Sequence, residues 1–194
     1  MGRDKASIQW GDVPHETLFA RTIEVISRVA QPVVAVASVE QELPEAAIPF
    51  ELLRDETPYE GPLCAVARGL EALAGRADLA FVCGTDHPHL VPAVPLRLFE
   101  LAREHDAAIF VGDTEQLLCA VYAVRTFSIA KRLVASGERS MRSFAAEIRV
   151  RLVTDEELLA DPAVRIADPE LRSFDDVDTP EDLERSSRAK EPKR

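Results

Sequence analysis

Short apolar runs alternate with stretches of helical spacing along most of the chain, and that alternation defines its architecture. Pro32–Ser38 (PVVAVAS) is a continuous apolar run, the mark of a strand covered on both faces of a parallel sheet. Leu79–Cys83, Ala107–Val111 and Leu117–Ala123 read as further strands, with shorter ones at Ile48–Arg54, Arg149–Thr154 and Ser173–Val177. Ser7–Trp10 is a short extended stretch ahead of a Gly11-Asp12 turn. Between these runs, His15–Ala30 carries Leu18, Phe19, Ile23, Val25, Ile26 and Val29 at helical spacing. Gly61–Ala74 predicts a helix opened by Pro62 at its first turn. Val94–His105, Phe127–Ala135 and Arg142–Ile148 predict three more, and another starts at Pro180.

Strands alternating with helices imply an α/β fold, a mostly parallel sheet with helices on both faces. The pair of runs within 107–123 is joined by Gly112–Gln116 alone, which predicts a local antiparallel excursion near the sheet edge. No internal repeat interrupts the pattern. The expectation is a single domain over residues 1–187, followed by a polar tail at 188–194.

Composition narrows the partners. The 194 residues carry a formal net charge of -11, and the only basic run is the short one at Lys190–Arg194. DNA, RNA and anionic membranes bind through clustered Lys and Arg, so none of them is an expected partner. A nucleotide is not excluded, since one lysine, backbone amides and a metal ion suffice to hold it. Cys64, Cys83 and Cys119 form no C-x-x-C pair and read as small buried side chains. With no signal peptide and no long apolar run, the expected compartment is the cytoplasm.

In an open parallel sheet, ligands bind beyond the carboxyl ends of the strands. Asp55, Asp86 and Asp178 each follow a strand run. In Phe81–Leu90 (FVCGTDHPHL) an apolar strand, a glycine and then Asp86 precede a proline, placing a carboxylate at the mouth of the sheet. Such a carboxylate suits Mg²⁺, which takes oxygen ligands and is commonly held by one or two carboxylates plus substrate phosphates. Near the C-terminus, Thr179, Pro180, Glu181 and Asp182 are explained by capping a helix, whereas Asp178 is not needed for the cap. His87 and His89 read as loop residues beside the site rather than ligands.

Five segments together resemble one family. Met1, Gly2, Asp4 and Lys5 match the end of the signature L-A-G-G-x-S-x-R-M-G-x-D-K, in which glycines bring backbone N–H groups to phosphate and a lysine neutralises it. Gly61-Pro62-Leu63 resembles a G-P-L element, Cys83–Leu90 a C-x-x-D-x-P-x-L element, and Gln116–Tyr122 an H/Q-P-L-x-A-L-Y strand in which Leu117 replaces proline. Asp176–Leu183 resembles a D-x-D-T-P-E-D-L ending. The chain is thereby similar to the molybdenum cofactor guanylyltransferases, MobA-like NTP transferases.

The resemblance implies a three-layer α/β/α sandwich of nucleotide-diphospho-sugar transferase type. It implies transfer of GMP from GTP to the terminal phosphate of molybdopterin, with Mg²⁺ as cofactor and pyrophosphate released. Lys5 and Asp86 would be catalytic; Gly2, Lys5, Asp55, Gly61, Pro62, Leu63 and Asp86 would surround the nucleotide; Asp86 and Asp178 would hold the metal. Contacts with a molybdoenzyme or a carrier of the cofactor are a further expectation. The alternatives are cytidylyl transfer within the same superfamily, or a non-catalytic remnant binding a nucleotide or a protein. The last arises because the first strand and half of the signature loop precede the match at Met1. A start site placed too far downstream would produce this chain; otherwise an empty central slot would expose two strand edges.

Overall fold

The computed structural model describes residues 5–10, 17–55 and 61–177. Its elements follow the sequence pattern closely. Helix α1 (Leu18–Ser27) leads to strand β1 (Val34–Ser38) and strand β2 (Glu51–Asp55). Helix α2 (Pro62–Ala72), strand β3 (Leu79–Cys83), helix α3 (Ala93–Ala102) and strands β4 (Ala107–Phe110) and β5 (Cys119–Ala123) come next. Helices α4 (Phe127–Ala135) and α5 (Met141–Ala146), strand β6 (Val150–Val153), and helices α6 (Asp155–Leu159) and α7 (Pro162–Ala167) complete the order.

Local chemistry sets most of these boundaries. Thr17 caps α1 through a hydrogen bond accepted from Ala20 N, and Ser140 caps α5 in the same manner. Helix α6 is opened by a reciprocal capping box between Thr154 and Glu157, and α7 by Asp161 with Pro162 in its first turn. The sequence pattern passes over these two helices because each is too short to show a full apolar stripe.

Two layers of helix enclose the strands. Alternate residues of a strand point to opposite faces, and the core divides accordingly. Ala108, Phe110, Cys119 and Val121 pack with Val94, Leu98 and Leu101 of α3 and with Leu158 and Val164 of α6 and α7. Their neighbours Ala107, Ile109, Ala120 and Tyr122 pack on the other side with α2, α4 and α5, where Phe144 stacks on Tyr122. This is the expected three-layer α/β/α sandwich.

The strands form two sheets among the described residues. One pairs β1 with β2 in parallel; the other runs in the order β3-β5-β4-β6, with β4 and β6 parallel and β5 antiparallel to both β3 and β4. The antiparallel excursion therefore lies inside the sheet, not near its edge. All five residues of β5 are buried, which only an interior strand achieves.

Two local expectations are corrected. Lys5–Ser7 is a turn of 3-10 helix, and only Gln9 makes a bridge, to Thr17. Ser173–Val177 is not a strand: Arg172–Phe174 is a 3-10 turn entered through Leu171 in the left-handed region, at φ 53°. The buried Asp168 carboxylate holds that turn, accepting from Arg172 N and Ser173 N at 2.8 Å each. The helix expected from Pro180 lies outside the described residues. No helix among the described residues is long and apolar enough to cross a membrane.

Candidate active site

The loop after β3 carries the part-exposed carboxylate of greatest interest, that of Asp86. Gly84 N still donates to Leu118 O at 3.0 Å, and there the chain leaves the sheet. A Cβ at Gly84 would lie 2.3 Å from Asp86 Oδ1, so the Asp86 carboxylate folds back over Gly84 and a larger residue there would displace it. That carboxylate is 29% exposed and lies 3.7 Å from Nε2 of the buried His87. Asp86 O accepts a hydrogen bond from Val177 N at 2.9 Å, which brings the residue preceding Asp178 against the loop. Asp178 itself and Gly2 lie outside the described residues.

The loop is fastened from both ends of the chain. Arg21 of α1 donates to Pro88 O at 2.5 Å. Val91 N donates to the buried Ser173 Oγ at 3.1 Å, tying the start of α3 to the C-terminal turn. Arg172 Nη2 lies 2.8 Å from His89 Nε2, and Trp10 meets the His89 ring edge-on at 5.3 Å between centroids. Burial, with the Arg172 and Arg21 charges, pushes His89 down to about 4 against the pull of Asp175 and Asp168. It is therefore neutral near pH 7, with Nε2 accepting from the guanidinium. A neutral, arginine-bound ring is a positioning element rather than a metal ligand. No group of three or more His, Cys, Asp or Glu side chains among the described residues is arranged to hold a metal ion.

The other expected residues lie at the start of α2 and the end of β2. Gly61 sits at φ 94°, a conformation that favours glycine, and a Cβ there would press on Arg139 at 3.2 Å. It precedes α2 without any side-chain cap, and Pro62 follows at the first turn. Pro62 and Gly84 both line one cavity. The Leu63 side chain is fully buried in the core among Val66, Leu70 and Tyr122. As a nucleotide contact Leu63 thus has only its main chain to offer. Asp55 ends β2 and forms an ion pair with Arg68 of α2 at 3.3 Å, which ties β2 to the helix behind Gly61. Lys5 begins the 3-10 turn whose next residue, Ala6, is buried against Phe19, Ile23 and Val33.

Several contributors escape a reading by sequence. Gly84 matters through its clash-free contact with Asp86, and Asp168, Arg172 and Ser173 through their hold on the loop. An Asp-Pro pair at 168–169 is a turn signal that marks the first of these. The cysteines also differ from expectation: Cys83 and Cys119 lie directly opposite each other across β3 and β5, and only Cys119 is buried. A hydrogen bond with Cys119 first, and then desolvation, push the Cys83 thiol well above its ordinary range. The raised Cys83 thiol is a weak nucleophile near pH 7.

Comparison with known proteins follows the same outline. Residues 1–157 match the family of the MobA-like NTP transferase domain. A probable molybdenum cofactor guanylyltransferase of Mycobacterium avium (strain 104) is 33% identical over 193 residues, covering 98% of this chain and 90% of that protein. The protein of the same description from Mycobacterium tuberculosis (strain ATCC 25618 / H37Rv) is 35% identical over 144 residues, 73% of this chain and 70% of that one. Among solved structures, molybdopterin-guanine dinucleotide biosynthesis protein A from Archaeoglobus fulgidus is similar with a TM-score of 0.74 at 22% identity, over 97% and 91% of the two chains. A 2-C-methyl-D-erythritol 4-phosphate cytidylyltransferase from Thermus thermophilus gives 0.68 at 17%, over 95% and 93%. These two structures bear on the fold alone.

Proposed function

Because the chain belongs to the MobA-like NTP transferase domain family, and so is a molybdenum cofactor guanylyltransferase-like nucleotidyltransferase, we propose that it moves GMP from GTP to the terminal phosphate of molybdopterin and releases pyrophosphate. The observation that carries this reading is the Asp86 carboxylate, folded over Gly84 at the end of β3, where Gly84 lines one cavity with Pro62 of the α2 start.

Such a transfer needs no covalent intermediate. Two anionic phosphates must be brought together, so alignment and charge neutralisation are the main tasks. The N-terminus of α2, uncapped by Gly61, presents main-chain N–H groups that suit the nucleotide's phosphate or ribose oxygens. The Asp55–Arg68 pair keeps that helix end in place. Lys5, with the Gly2 backbone, neutralises the triphosphate and the departing pyrophosphate.

One part-exposed carboxylate, with Asp178 as a second just beyond Val177, fits the oxygen-rich and phosphate-shared coordination of Mg²⁺. Asp86 and Asp178 would hold the ion, which supplies charge neutralisation at the reacting phosphates. The three free cysteines are consistent with the reducing cytoplasm in which we place the reaction.

The test is direct: the chain with GTP, Mg²⁺ and molybdopterin is assayed for pyrophosphate, with the dinucleotide product identified by mass. Product should require all three. Equal turnover with CTP, or pyrophosphate formed without molybdopterin, contradicts the guanylyl assignment.

A further inference from the structure

Cys83, the last residue of β3, faces Cys119, the first of β5. The hydrogen bonds of the ladder fix how close that pairing is. Val124 N donates to Asp78 O at 2.8 Å and Gly84 N to Leu118 O at 3.0 Å, so residues 78 and 84 belong to hydrogen-bonded pairs. Such pairs alternate along an antiparallel ladder with closer, non-hydrogen-bonded ones. Residues 79, 81 and 83 take the closer kind, in which the Cα atoms lie about 4.5 Å apart. A disulfide spans about 4.4–6.8 Å between Cα atoms, so the pair at 83 and 119 is within its reach.

Both side chains also leave the sheet on one face. Cys119 belongs to the core beside Phe110 and Val121, and Cys83 packs against that same core. A hydrogen bond joins the two thiols. The sulfurs can therefore meet by side-chain rotation, without the strands separating. Cys64, the third cysteine, lies on α2, which packs against the opposite face of the sheet.

Each thiol also touches one anchor of the loop that carries Asp86. Cys83 Sγ lies 2.9 Å from Gly84 O, where the chain leaves the sheet. Cys119 Sγ lies 4.0 Å from Ser173 O, and the Ser173 hydroxyl is the acceptor for Val91 N. Further along the same segment, Val177 N donates to Asp86 O. The sulfurs thus sit between the start of the 84–91 loop and the turn that fastens it. Joining them replaces two S–H donors by a sulfur–sulfur bond of about 2.05 Å, and both carbonyls lose their thiol.

We propose that Cys83 and Cys119 form a reversible disulfide, a modification site whose closure loosens the Asp86 loop under oxidising conditions. The oxidant is a small peroxide such as hydrogen peroxide, which meets the part-exposed Cys83 first. The Cys83 sulfur attacks one peroxide oxygen and the O–O bond breaks, giving a sulfenic acid and water. The Cys119 sulfur then displaces hydroxide from the Cys83 sulfur, and its proton leaves with that hydroxide as a second water. Two thiols are oxidised, one peroxide is reduced, and a dithiol reverses the change by exchange. Because Cys83 is a weak nucleophile the first step is slow, so the pair stays reduced in a reducing compartment and closes under sustained oxidant. The consequence for turnover rests on the transferase site proposed above, whereas the disulfide rests on the ladder alone.

In the test, the 194-residue chain is treated with hydrogen peroxide, blocked with iodoacetamide and mapped by mass spectrometry without reduction. The expected product is a peptide pair joined through Cys83 and Cys119, lighter than its parts by two hydrogens, with Cys64 alkylated. Residue-resolved hydrogen exchange at Val91 and Val177 should then speed up by about tenfold or more and recover with dithiothreitol, while Ala108 in the buried β4 changes little. Cys119→Ala and, at the more open position, Cys83→Ala, both checked for folding by circular dichroism, should form no link and keep these amides protected in peroxide. Separate thiols, a link that involves Cys64 or a second chain, or a disulfide with unaltered exchange at Val91 and Val177 overturns the inference. So does equal loosening in the alanine variants. Turnover is read last: undiminished transfer by the linked, loosened protein leaves the disulfide standing and counts against Asp86 as the seat of the chemistry.

Discussion

Strands β1 and β5 are equally apolar in sequence, VAVAS against CAVYA, yet they end in different surroundings. Every residue of β5 is buried, between two neighbouring strands and two helix layers. In β1 only Ala37 is fully buried, and its partner β2 leaves Glu51, Leu52 and Arg54 exposed. The β2 flank is held by surface polar contacts, such as Arg76 to Glu51 at 2.8 Å and Arg54 to Ser38 O at 2.9 Å. Exposed contacts of that type contribute at most about 1 kcal/mol each. An apolar run thus records what a strand is suited to, while its burial depends on having neighbours along both edges. Among the described residues β5 has them, and β1 lacks one.

This contrast has measurable consequences. The largest is in the four-stranded half, where Phe144→Ala opens a cavity beside Tyr122 and should cost about 3–5 kcal/mol by denaturant unfolding. A loss below about 1 kcal/mol would mean that this half is not the stable one.

An intermediate effect belongs to His89, where the first residues, the Asp86 loop and the C-terminal turn meet. Held at about 4 in the fold against 6.5 when free, His89 remains neutral while the unfolded chain takes up a proton. Its contribution is therefore constant above pH 6.5 and is lost as pH falls toward 4, at no more than about 1.4 kcal/mol per pH unit. The difference between the pH-stability curves of the wild type and His89→Gln isolates that slope. Parallel curves between pH 6.5 and 4 would remove His89 from this role. The smallest effect is expected at the two-stranded flank: Leu52→Ala, at a residue 39% exposed, should shift stability by no more than about 0.5 kcal/mol. A shift of several times that size would show that β2 is sealed more tightly than its exposure indicates.

Most of the architecture was legible because long-range packing repeats local periodicity. Strands β1, β3 and β4 and helices α1, α2 and α4 follow directly from runs such as PVVAVAS and GPLCAVARGLEALA. The position of β5 inside the sheet was not legible, since a short connection such as Gly112–Gln116 signals an antiparallel neighbour but not what covers the other edge. Ser173–Val177 forms no strand because Ser173 and Phe174 belong to a turn held by Asp168, a contact that the apolar residues alone do not reveal. At the candidate site, Asp86 and Gly61 could be singled out by a glycine and a proline at fixed offsets. The fold of the Asp86 carboxylate over Gly84, and the Arg172–His89 contact across the chain, depend on coordinates in space. Leu63 is the reverse case, a residue picked out by its motif whose side chain is buried in the core.

The central claim, that Asp86 at the mouth of β3 serves nucleotidyl transfer, is tested most directly by Asp86→Asn. The substitution keeps the shape of the side chain and leaves Asp86 O, which holds Val177 N, in place. Turnover of GTP with molybdopterin at saturating Mg²⁺ is measured for both proteins alongside their melting temperatures. The account predicts a rate lower by about two orders of magnitude or more, as expected when a charged group acting on the transition state is removed, with little change in stability. A near-normal rate in the Asp86→Asn protein would contradict it.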